Sequence, residues 1–530
     1  MAAGTADGHD AVRWTPPTGP YNAAVDMIDR HVHDGRGARI AFIDAATRIT
    51  YAELAERTNR FANALPRLGI ARERRLALML LDTVDFPVAF WGAIKAGVVP
   101  VPLNTLLTLE QSRYMIEDSR ADAIVISPEI YDRTAPMLAE IAAKRHLHII
   151  VTGRAGTDAT IGFDELLAGS AAATRIAETH ADDVAFWLYS SGSTGMPKGT
   201  RHIHSSPMAT AQLFAQGVLS MTADDVIFSA AKLFFAYGLG NGMSFPMSVG
   251  ATAVLMPDRP TPDSVLATMR AHNPTLFCGV PTLYAAMLAH PGLAKGAGSN
   301  RLRLCTSAGE ALPEDIGRRF EATVGCEIID GIGSTEMLHI FCANRPGQVR
   351  YGTSGTPVPG YAAKLLDDTG LDVPQGEIGE LVIRGPSAAD GYWLQREKSR
   401  KTFRGEWTHT GDKYRIREDG AYVYCGRTDD MFKVSGIWVS PFEVESALIT
   451  HTAVLEAAVV GKEDTDGLVK PMAFVVLKPG IAADDALFED LKAHVKAGAG
   501  VWKYPRWIEA RAELPKTATG KIQRYKLRGA

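Results

Sequence analysis

The chain has 530 residues, a formal net charge of −4 at pH 7 and 46% hydrophobic residues. This length is well beyond what one core usually supports, which predicts several packed subdomains, and the lack of a long basic run argues against a nucleic-acid or lipid-surface partner. The five cysteines are scattered without a C-x-x-C pair, which argues against a disulfide framework and against a structural zinc site.

Neither the first residues nor the apolar stretches indicate export or membrane insertion. Residues 1–17 are rich in Ala, Gly, Asp and Pro and do not show the basic start and apolar core of a secretory signal. The longest apolar stretch, residues 86–103, is interrupted by Lys95 and ends with two prolines, which suits a helix followed by a strand. We therefore expect a cytoplasmic protein with no membrane partner.

From residue 38 onward, predicted strands and helices alternate. The predicted strands are residues 40–43, 76–80, 98–101, 123–126 and 147–151, with helices at 86–95 and 131–143 between them. Thr50 with Glu53, and Thr108 with Gln111, have the spacing of capping boxes, which predicts a helix start after each threonine. Such alternation predicts mostly parallel sheets covered by helices.

The alternation continues to about Gly355, after which the pattern changes. Further strands are predicted at 226–228, 251–255, 276–278 and 302–307, and then at 362–366, 379–384 and 422–424, where Gly, Asp and Pro turns indicate a small antiparallel subdomain. The last hundred residues carry helices at 441–448 and 485–497 and strands at 454–460 and 471–477. We expect an α/β fold: an N-terminal domain (1–426) with mostly parallel sheets and the antiparallel subdomain, then a small α+β domain (427–530).

Residues 189–200, Y-S-S-G-S-T-G-M-P-K-G-T, have the composition of a phosphate-binding loop. Glycines let backbone N–H groups point at an anion, hydroxyls add donors, and Lys198 adds a positive charge. Residues 184–189 read as a buried strand, which predicts that the loop lies at a strand's carboxyl end, where α/β folds keep their sites. Lys198 follows Pro197, unlike the lysine of P-loop NTPases, and a glycine-rich surface turn is the alternative.

Five further stretches combine polar with small residues. They are residues 307–311, 330–336, 407–412, 426–436 and 515–524, and the last carries Lys516 and Lys521. Their ordinary explanations are a strand-ending turn, a helix N-cap, an Asx turn, a solvated linker and a charged tail. Alternatively, small residues let a flat ring approach the backbone, Thr335 holds a phosphate oxygen, Glu336 holds Mg²⁺ and Asp412 holds ribose hydroxyls.

In this order and over nearly the whole chain, these six stretches resemble the adenylate-forming acyl-CoA ligase superfamily. Residues 231–241, 330–341 and 427–443 further resemble its benzoate-CoA ligase branch. The resemblance implies ATP, Mg²⁺ and coenzyme A, and a nucleotide site made of Ser190, Ser191, Gly192, Ser193, Thr194, Gly195, Lys198, Ser307, Ala308, Gly309, Glu310, Asp330, Gly331, Ile332, Gly333, Ser334, Thr335, Asp412 and Arg427.

The resemblance also implies a role for individual residues. The glycine loop would hold the β and γ phosphates, residues 307–310 the adenine, Thr335 the α phosphate, Glu336 the Mg²⁺ ion, and Asp412 and Arg427 the ribose. Thr335, Glu336 and Lys521 would be the catalytic residues, Asp429 the hinge, and Ser435 and Gly436 the coenzyme A channel.

An aromatic acid would need a flat, mainly apolar slot. Phe235, Ala236, Tyr237, Gly238, Gly331, Ile332, Gly333 and His339 are the candidates, with His339 as a donor to the carboxylate. Core packing of the aromatic residues and a satisfied buried histidine are the alternatives. Many superfamily members carry an aromatic residue where this chain has Ile332, so an aliphatic wall would have to supply the apolar contact with adenine.

We therefore expect an ATP-dependent ligase that joins benzoate or a small substituted benzoate to coenzyme A through an acyl-AMP intermediate, with release of AMP and pyrophosphate. A monomer or homodimer is expected, with no nucleic-acid partner. The alternatives are a non-aromatic ring acid or short-chain acid as substrate, transfer to a carrier protein, and a catalytically silent nucleotide-binding module.

Overall fold

The computed structural model describes residues 14–192, 195–428, 430–434, 437–465, 467–500, 502–516 and 522–528. Up to residue 170 the elements are a π-helix (Val25–Asp29), α1 (Arg30–His33), β1 (Ile40–Ile43), β2 (Arg48–Thr50), α2 (Tyr51–Arg67), β3 (Arg75–Met79), α3 (Asp85–Lys95), β4 (Val99–Pro102), α4 (Leu109–Ser119), β5 (Ala123–Ile126), α5 (Pro128–Lys144), β6 (His148–Val151), β7 (Ile161–Gly162) and α6 (Phe163–Ala168).

Strands β3 to β7 form a parallel sheet in the order β4-β3-β5-β6-β7. The predicted strands of this region are confirmed within one residue or so. Both predicted capping boxes are present, since the Thr50 and Thr108 hydroxyls each accept from the backbone N–H three residues later, and the Glu53 and Gln111 side chains reach back to the cap residues. Local side-chain chemistry therefore sets the starts of α2 and α4.

The central part supplies the larger sheet. Its elements are β8 (Val184–Gly192), β9 (Gly195–Ile203), α7 (Ser206–Thr210), a π-helix (Ala211–Gln216), β10 (Val226–Ser229), α8 (Ala236–Leu239), a π-helix (Gly240–Ser244), α9 (Phe245–Val249), β11 (Thr252–Val254), α10 (Pro262–His272), β12 (Leu276–Gly279), α11 (Pro281–Leu288), β13 (Leu304–Ser307), α12 (Glu314–Val324), β14 (Ile328–Gly333), a 3₁₀-helix (Thr335–Met337), β15 (Ile340–Ala343) and β16 (Thr356–Pro357). The strand order is β16-β15-β14-β13-β12-β10-β11-β1-β2.

Within this larger sheet, neighbouring strands in the run β14-β13-β12-β10-β11-β1 are parallel. The pairings that add β15 and β16 at one end and β2 at the other are antiparallel. Parallel β13 and β14 place Ser307 beside Asp330 at their carboxyl ends. Two sequence stretches predicted to contact the nucleotide are thus brought together by the sheet, as expected for this class of fold.

The antiparallel subdomain follows, as predicted. Residues 362–427 contain β17 (Ala362–Leu366), β18 (Gly379–Arg384), β19 (Gly391–Tyr392), α13 (Arg396–Thr402), β20 (Phe403–Arg404), β21 (Trp407–Ile416) and β22 (Tyr422–Arg427). Of these strands, β19 belongs to the sheet of β8 and β9. Strands β17, β18, β21 and β20 are neighbours in that order, and β22 pairs with β21. Residues 407–412 lie within β21, where an Asx turn was the ordinary explanation, because β18, β20 and β22 all pair with this strand.

The last hundred residues build a separate core. Their elements are β23 (Phe432–Val434), β24 (Ile437–Val439), α14 (Pro441–Ile449), β25 (Val454–Glu463), β26 (Val469–Leu477), α15 (Asp485–Ala499), β27 (Trp507–Ala510) and a 3₁₀-helix (Arg524–Lys526). Val444, Leu448, Val459, Leu491 and Val495 are buried together here. The α/β fold class with a small C-terminal domain is therefore confirmed, while the boundary at 426 and 427 stays a prediction.

One expectation about residues 189–200 was wrong. The strand predicted at residues 184–189 is confirmed as the first part of β8, but residues 189–200 are not mainly a loop after it. Instead β8 and β9 form an antiparallel hairpin, and β19 pairs with β9 on its other side. Tyr189 faces Gly199 and Ser190 faces Lys198 across the hairpin. The hydrogen-bond ladder therefore holds most of the stretch that composition alone indicated as a loop.

Every helix in the described ranges is too short or too polar to span a bilayer.

Candidate active site

The Glu336 carboxylate is the meeting point of the hairpin and the Thr335–Met337 turn. Its Oε1 accepts a hydrogen bond from Tyr392 OH at 2.7 Å and from Ser190 Oγ at 3.3 Å, and lies 3.8 Å from Lys198 Nζ. Ser334 caps the turn, since its Oγ accepts from Met337 N at 3.2 Å, so the N-cap explanation for this stretch is also correct. The structure thus joins three sequence-predicted residues, Ser190, Lys198 and Glu336.

This carboxylate suits a divalent cation that is shared with a nucleotide. Within the described part of the chain, the hydrogen bonds to Glu336 end on Oε1, which leaves Oε2 for a ligand. No group of three or more His, Cys, Asp or Glu side chains among the described residues could hold a metal by itself. A Mg²⁺ ion bound here would take its remaining ligands from phosphates and water, as Mg²⁺ commonly does.

Lys198 is largely buried, which lowers the pKa of its ammonium group, while Glu336 raises it and the charges of Lys398 and Arg427 lower it further. Burial and the Glu336 carboxylate raise the pKa of the Tyr392 phenol, and the charge of Arg427 opposes this rise. Arg427 is therefore within electrostatic reach of the hairpin cluster. A concentration of positive charge beside one carboxylate is suited to a polyphosphate.

Asp412 and Arg427, the predicted ribose contacts, form a cross-strand pair. Arg427 Nη1 donates to Asp412 Oδ1 at 3.1 Å and to Thr410 O at 3.0 Å. Gly411 has a φ of +70°, and a Cβ there would stand 2.9 Å from Arg427 Nη2. A side chain at position 411 would therefore push the guanidinium away from Asp412.

The proposed adenine wall consists of the ends of β13 and β14. Ser307 and Asp330 are buried, and burial raises the pKa of the Asp330 carboxyl to about 8. Gly309 has a φ of +94°, and a Cβ there would meet nothing within 4 Å, so an open face remains beside it. Ile332, which stands where an aromatic residue is common, is half-buried on β14 opposite Cys342.

Tyr237 and His339 lie together beside the same strand ends. Tyr237 OH is 2.7 Å from Thr306 Oγ1, and His339 Nε2 is 3.3 Å from Tyr237 O. Burial lowers the pKa of His339 to about 3, so the ring is neutral at physiological pH. When Nε2 donates to the carbonyl, Nδ1 carries a lone pair and has no hydrogen-bond partner among the described residues, so the buried ring is only half satisfied and is not a donor to a substrate carboxylate.

Four positions in this region need glycine, because a Cβ would meet backbone atoms at three of them and the His339 ring at the fourth. A Cβ at Gly238 would stand 2.1 Å from Lys232 O, one at Gly331 2.7 Å from Cys342 O, and one at Gly333 2.6 Å from His339 O. These three glycines are required by close backbone packing. Gly240 is different and was missed in the sequence, because a Cβ there would stand 2.4 Å from His339 Cδ2 and so would move the ring.

Two parts of the chain match families of enzymes that bind AMP, in line with the nucleotide site predicted from the sequence. Residues 29–393 match the AMP-binding enzyme family, and residues 443–521 match the AMP-binding enzyme C-terminal domain. The chain belongs to the AMP-binding enzyme family.

Several family relatives are close in sequence or structure. The benzoate–CoA ligase of Thauera aromatica is 57% identical over 96% of this chain and 96% of its own. A benzoate CoA ligase structure from Burkholderia xenovorans LB400 is 52% identical, with a TM-score of 0.89, and covers 96% of this chain and 100% of that one. The anthranilate CoA ligase AuaEII in complex with anthranoyl-AMP is 42% identical, with a TM-score of 0.91, over 96% and 97% of the two chains.

Some predicted residues of this AMP-binding enzyme lie outside the described residues. These are Ser193, Thr194, Asp429, Ser435, Gly436 and Lys521, and the side chain of Ser191 is also not described. Lys516, the other lysine of the last stretch, pairs with Glu456 at 2.6 Å. Arg524, just after Lys521 in the chain, pairs with Glu445 at 2.7 Å and lies 3.6 Å from Asp430.

Two further residues at the site were missed in the sequence. Tyr392 contacts both Glu336 and Lys198, but it is 194 positions from Lys198, and only the pairing of β19 with β9 brings it there. His202 is fully buried, stacks on Phe186 with 5.2 Å between ring centroids, and has no hydrogen-bond partner for either nitrogen among the described residues. Alternation of buried positions along β9 is the signal that could have indicated His202.

Proposed function

We propose that the protein is an ATP-dependent aryl-CoA ligase that converts benzoate or a small substituted benzoate to its coenzyme A thioester through an acyl-AMP intermediate, releasing AMP and pyrophosphate. The observation that carries this is the position of the Tyr237 hydroxyl beside Thr306, at the strand ends that also carry Ser307 and Asp330, with the His339 ring 5.6 Å from the Tyr237 ring. An aromatic acid there would lie next to a nucleotide, and the 57% identity to a benzoate–CoA ligase supports the same substrate.

The chemistry requires activation of the acid. A carboxylate does not react with a thiol, because oxide is a very poor leaving group and the anion repels nucleophiles. Attack of the carboxylate oxygen on the α phosphorus of ATP breaks the bond from that phosphorus to the oxygen bridging to the β phosphorus. This step releases pyrophosphate and produces an acyl-AMP, whose leaving group in the next step is AMP. The coenzyme A thiol then attacks the acyl carbon and loses its proton, and the acyl–AMP bond breaks.

The residues around Glu336 suit the first half-reaction. Lys198 and the hairpin N–H groups would hold the β and γ phosphates, and Thr335 would hold the α phosphate. Glu336, through Oε2, would bind the Mg²⁺ ion, which supplies charge neutralisation when bound. Asp412 and Arg427 would hold the ribose, so that the nucleotide is fixed at both ends while the acid attacks.

The proposed acid slot would be narrow for a structural reason. His339 is wedged between Gly240 and the rings of Tyr237 and Phe245, with 5.6 Å and 4.3 Å to the two ring centroids. Its neutral ring contributes an apolar wall instead of a charge. A flat ring fits such a slot better than a branched or flexible acid, because aromatic walls favour stacked or edge contacts.

We further propose that the chain divides at residues 426 and 427 and that the small domain alternates between two positions. In the first, Lys521 would approach the reacting carboxylate and α phosphate. Rotation about Asp429 would then withdraw Lys521 and bring Ser435 and Gly436 to the pantetheine channel, where the small side chains leave room for the thiol arm. Arg524, three positions after Lys521 in the chain, pairs with Glu445 and lies 3.6 Å from Asp430, the neighbour of the proposed hinge residue.

Mass spectrometry of the products tests the function. With benzoate, MgATP and free coenzyme A, we expect benzoyl-CoA and AMP in equal amounts. Formation of ADP, or absence of a thioester, would contradict the proposal. Acetate, cyclohexane carboxylate and a phosphopantetheinylated carrier protein in parallel reactions separate the alternative acids and the alternative acceptor.

A further inference from the structure

The phenol of Tyr392 stands between the two charged groups of the phosphate site. Its hydroxyl donates to Glu336 Oε1 at 2.7 Å and accepts from Lys198 Nζ at 3.2 Å. Lys198 Nζ also lies 4.3 Å from the centroid of the Tyr392 ring. One side chain therefore contacts both the proposed metal ligand and the proposed phosphate ligand.

Tyr392 is held rigidly from several directions. Its backbone pairs with Thr200 on the phosphate hairpin, and its N–H donates to Ser399 Oγ at 3.0 Å. Its ring packs on Phe403 with 5.4 Å between centroids, and only 5% of the residue is exposed. Burial and the nearby Glu336 carboxylate raise the pKa of the phenol, so it stays protonated and remains a donor.

The hydroxyl has a clear effect on its two neighbours. Lys198 Nζ and Glu336 Oε1 already form a loose ion pair at 3.8 Å, and without the phenol between them they could close to a hydrogen-bonded pair. Such a pair would take up the carboxylate needed for a cation and neutralise the ammonium needed for a phosphate. The Tyr392 hydrogen bond instead binds Oε1 and fixes the carboxylate with Oε2 unbound by the described residues.

We propose that Tyr392 is a positioning residue for the divalent cation: it orients Glu336 toward the metal and keeps Lys198 from closing to hydrogen-bond distance of that carboxylate, in the ligase reaction proposed above. Hydrogen bonds from outside the metal's ligands are typically worth a factor of about 10 to 100 in metal affinity. The effect on nucleotide binding should therefore depend on the metal.

Tyr392→Phe keeps the ring and removes only the hydroxyl. Calorimetry without acid or coenzyme A gives the dissociation constants of ATP with Mg²⁺ and of ATP with EDTA. We expect Mg²⁺ to tighten ATP binding by the wild type and this ratio to fall about tenfold in Tyr392→Phe. The Mg²⁺ concentration for half-maximal activity should rise by a similar factor, while KM for benzoate stays within about twofold.

Tyr361→Phe is the matched control. The Tyr361 hydroxyl is 2.7 Å from Ser387 Oγ, which donates to Met337 O at 2.7 Å, so it supports the same turn without touching the Glu336 carboxylate. Its Mg²⁺ ratio should equal that of the wild type. A wild-type ratio in Tyr392→Phe, or equal changes in both variants, would overturn the positioning role.

Two further measurements complete the test. In a Glu336→Gln background, Tyr392→Phe should have no additional effect on the ratio, because Tyr392 acts through that carboxylate; an additive effect contradicts this. Tyr392→Met also lacks the hydroxyl and gives the same comparison if Tyr392→Phe does not fold. Benzoate-dependent exchange of labelled pyrophosphate into ATP by the wild type is measured separately. Failure of the ligase function and failure of the Tyr392 role therefore give different results.

Discussion

Asp412 and Arg427 stand directly opposite each other on β21 and β22, with 3.1 Å between Asp412 Oδ1 and Arg427 Nη1. The pair lies next to a bulge, because the register of the two strands shifts between Lys413 and Tyr414. Bulges often re-aim side chains next to active sites. Here the irregularity lies beside the two residues that we assign to the ribose.

Asp412→Asn should weaken nucleotide binding selectively. The change keeps the shape and removes the charge that pairs with Arg427 and accepts from the ribose hydroxyls. Loss of a hydrogen bond to a charged group costs about 2 kcal/mol, or about thirtyfold in KM for ATP. Steady-state kinetics of pyrophosphate exchange into ATP should show this rise in KM for ATP, while KM for benzoate stays nearly unchanged.

Asp368→Asn is the control for that variant. Asp368 is exposed and pairs at 3.1 Å with Lys413, the residue after Asp412 on β21. This contact lies away from Arg427. It should behave as the wild type. Equal KM values for ATP in Asp412→Asn and the wild type would remove Asp412 from the site.

Lys521→Ala should separate the two half-reactions. A unit charge pair at about 4 Å contributes about 4 kcal/mol at an effective dielectric near 20, so adenylation should slow by up to about a thousandfold. Thioester formation from supplied benzoyl-AMP involves no pyrophosphate and should stay near the wild-type rate. Lys516→Ala, which removes the Glu456-paired lysine, should leave both steps intact. Equal loss of both half-reactions in Lys521→Ala would refute domain alternation.

Gly240→Ala should narrow the acid slot. The new methyl would stand 2.4 Å from His339 Cδ2 and 3.1 Å from Phe245 Cζ, so the His339 ring must move. Overpacking of this kind typically costs about 1 to 3 kcal/mol of stability. We expect a lower Tm and a KM for benzoate raised about tenfold, with KM for ATP changed less than twofold. An unaltered KM for benzoate would show that His339 does not border the acid.

His202 should make the protein less stable in mild acid. Burial lowers the pKa of its imidazole from 6.5 to about 4. Because the unfolded chain binds a proton below pH 6.5 and the folded ring does not, the stability from this group is complete above about pH 6.5 and is lost toward pH 4.

His202→Phe tests this directly. Between pH 6.5 and 4, the slope of the unfolding free energy against pH should decrease by up to about 1.4 kcal/mol per pH unit in the variant. Urea unfolding at several pH values measures the slope, and the exposed His180 provides the control, as His180→Gln. If the plots of unfolding free energy against pH were parallel for His202→Phe and the wild type, the lowered pKa of His202 would be contradicted.

Local chemistry made much of the fold predictable from the sequence. The boxes at Thr50 and Thr108 involve residues three apart, and the apolar runs of β10, β12 and β13 are typical of buried parallel strands. The hairpin at residues 189–200 was not predicted, because its glycines and hydroxyls hide the alternation of a strand. Its pairing became visible only with the partner strands in place.

The site shows the same division. Residue type indicated Ser190, Lys198, Glu336 and Asp412, and the family resemblance added Arg427. The structure brings the first three into one cluster and pairs Asp412 with Arg427. Tyr392 carries no local signal, since its contacts depend on strand pairing between distant parts of the chain. His339 was indicated, but its hydrogen-bond direction and burial favour a wall over a carboxylate donor.

Acid-dependent exchange of labelled pyrophosphate into ATP, without coenzyme A, tests the central claim most directly. Across a panel of benzoates, linear acids and cyclohexane carboxylate, we predict exchange that requires Mg²⁺ and is fastest with benzoate or a small substituted benzoate. Exchange that is absent with every acid, or equal in rate with and without an acid, would contradict formation of an acyl-AMP by this protein.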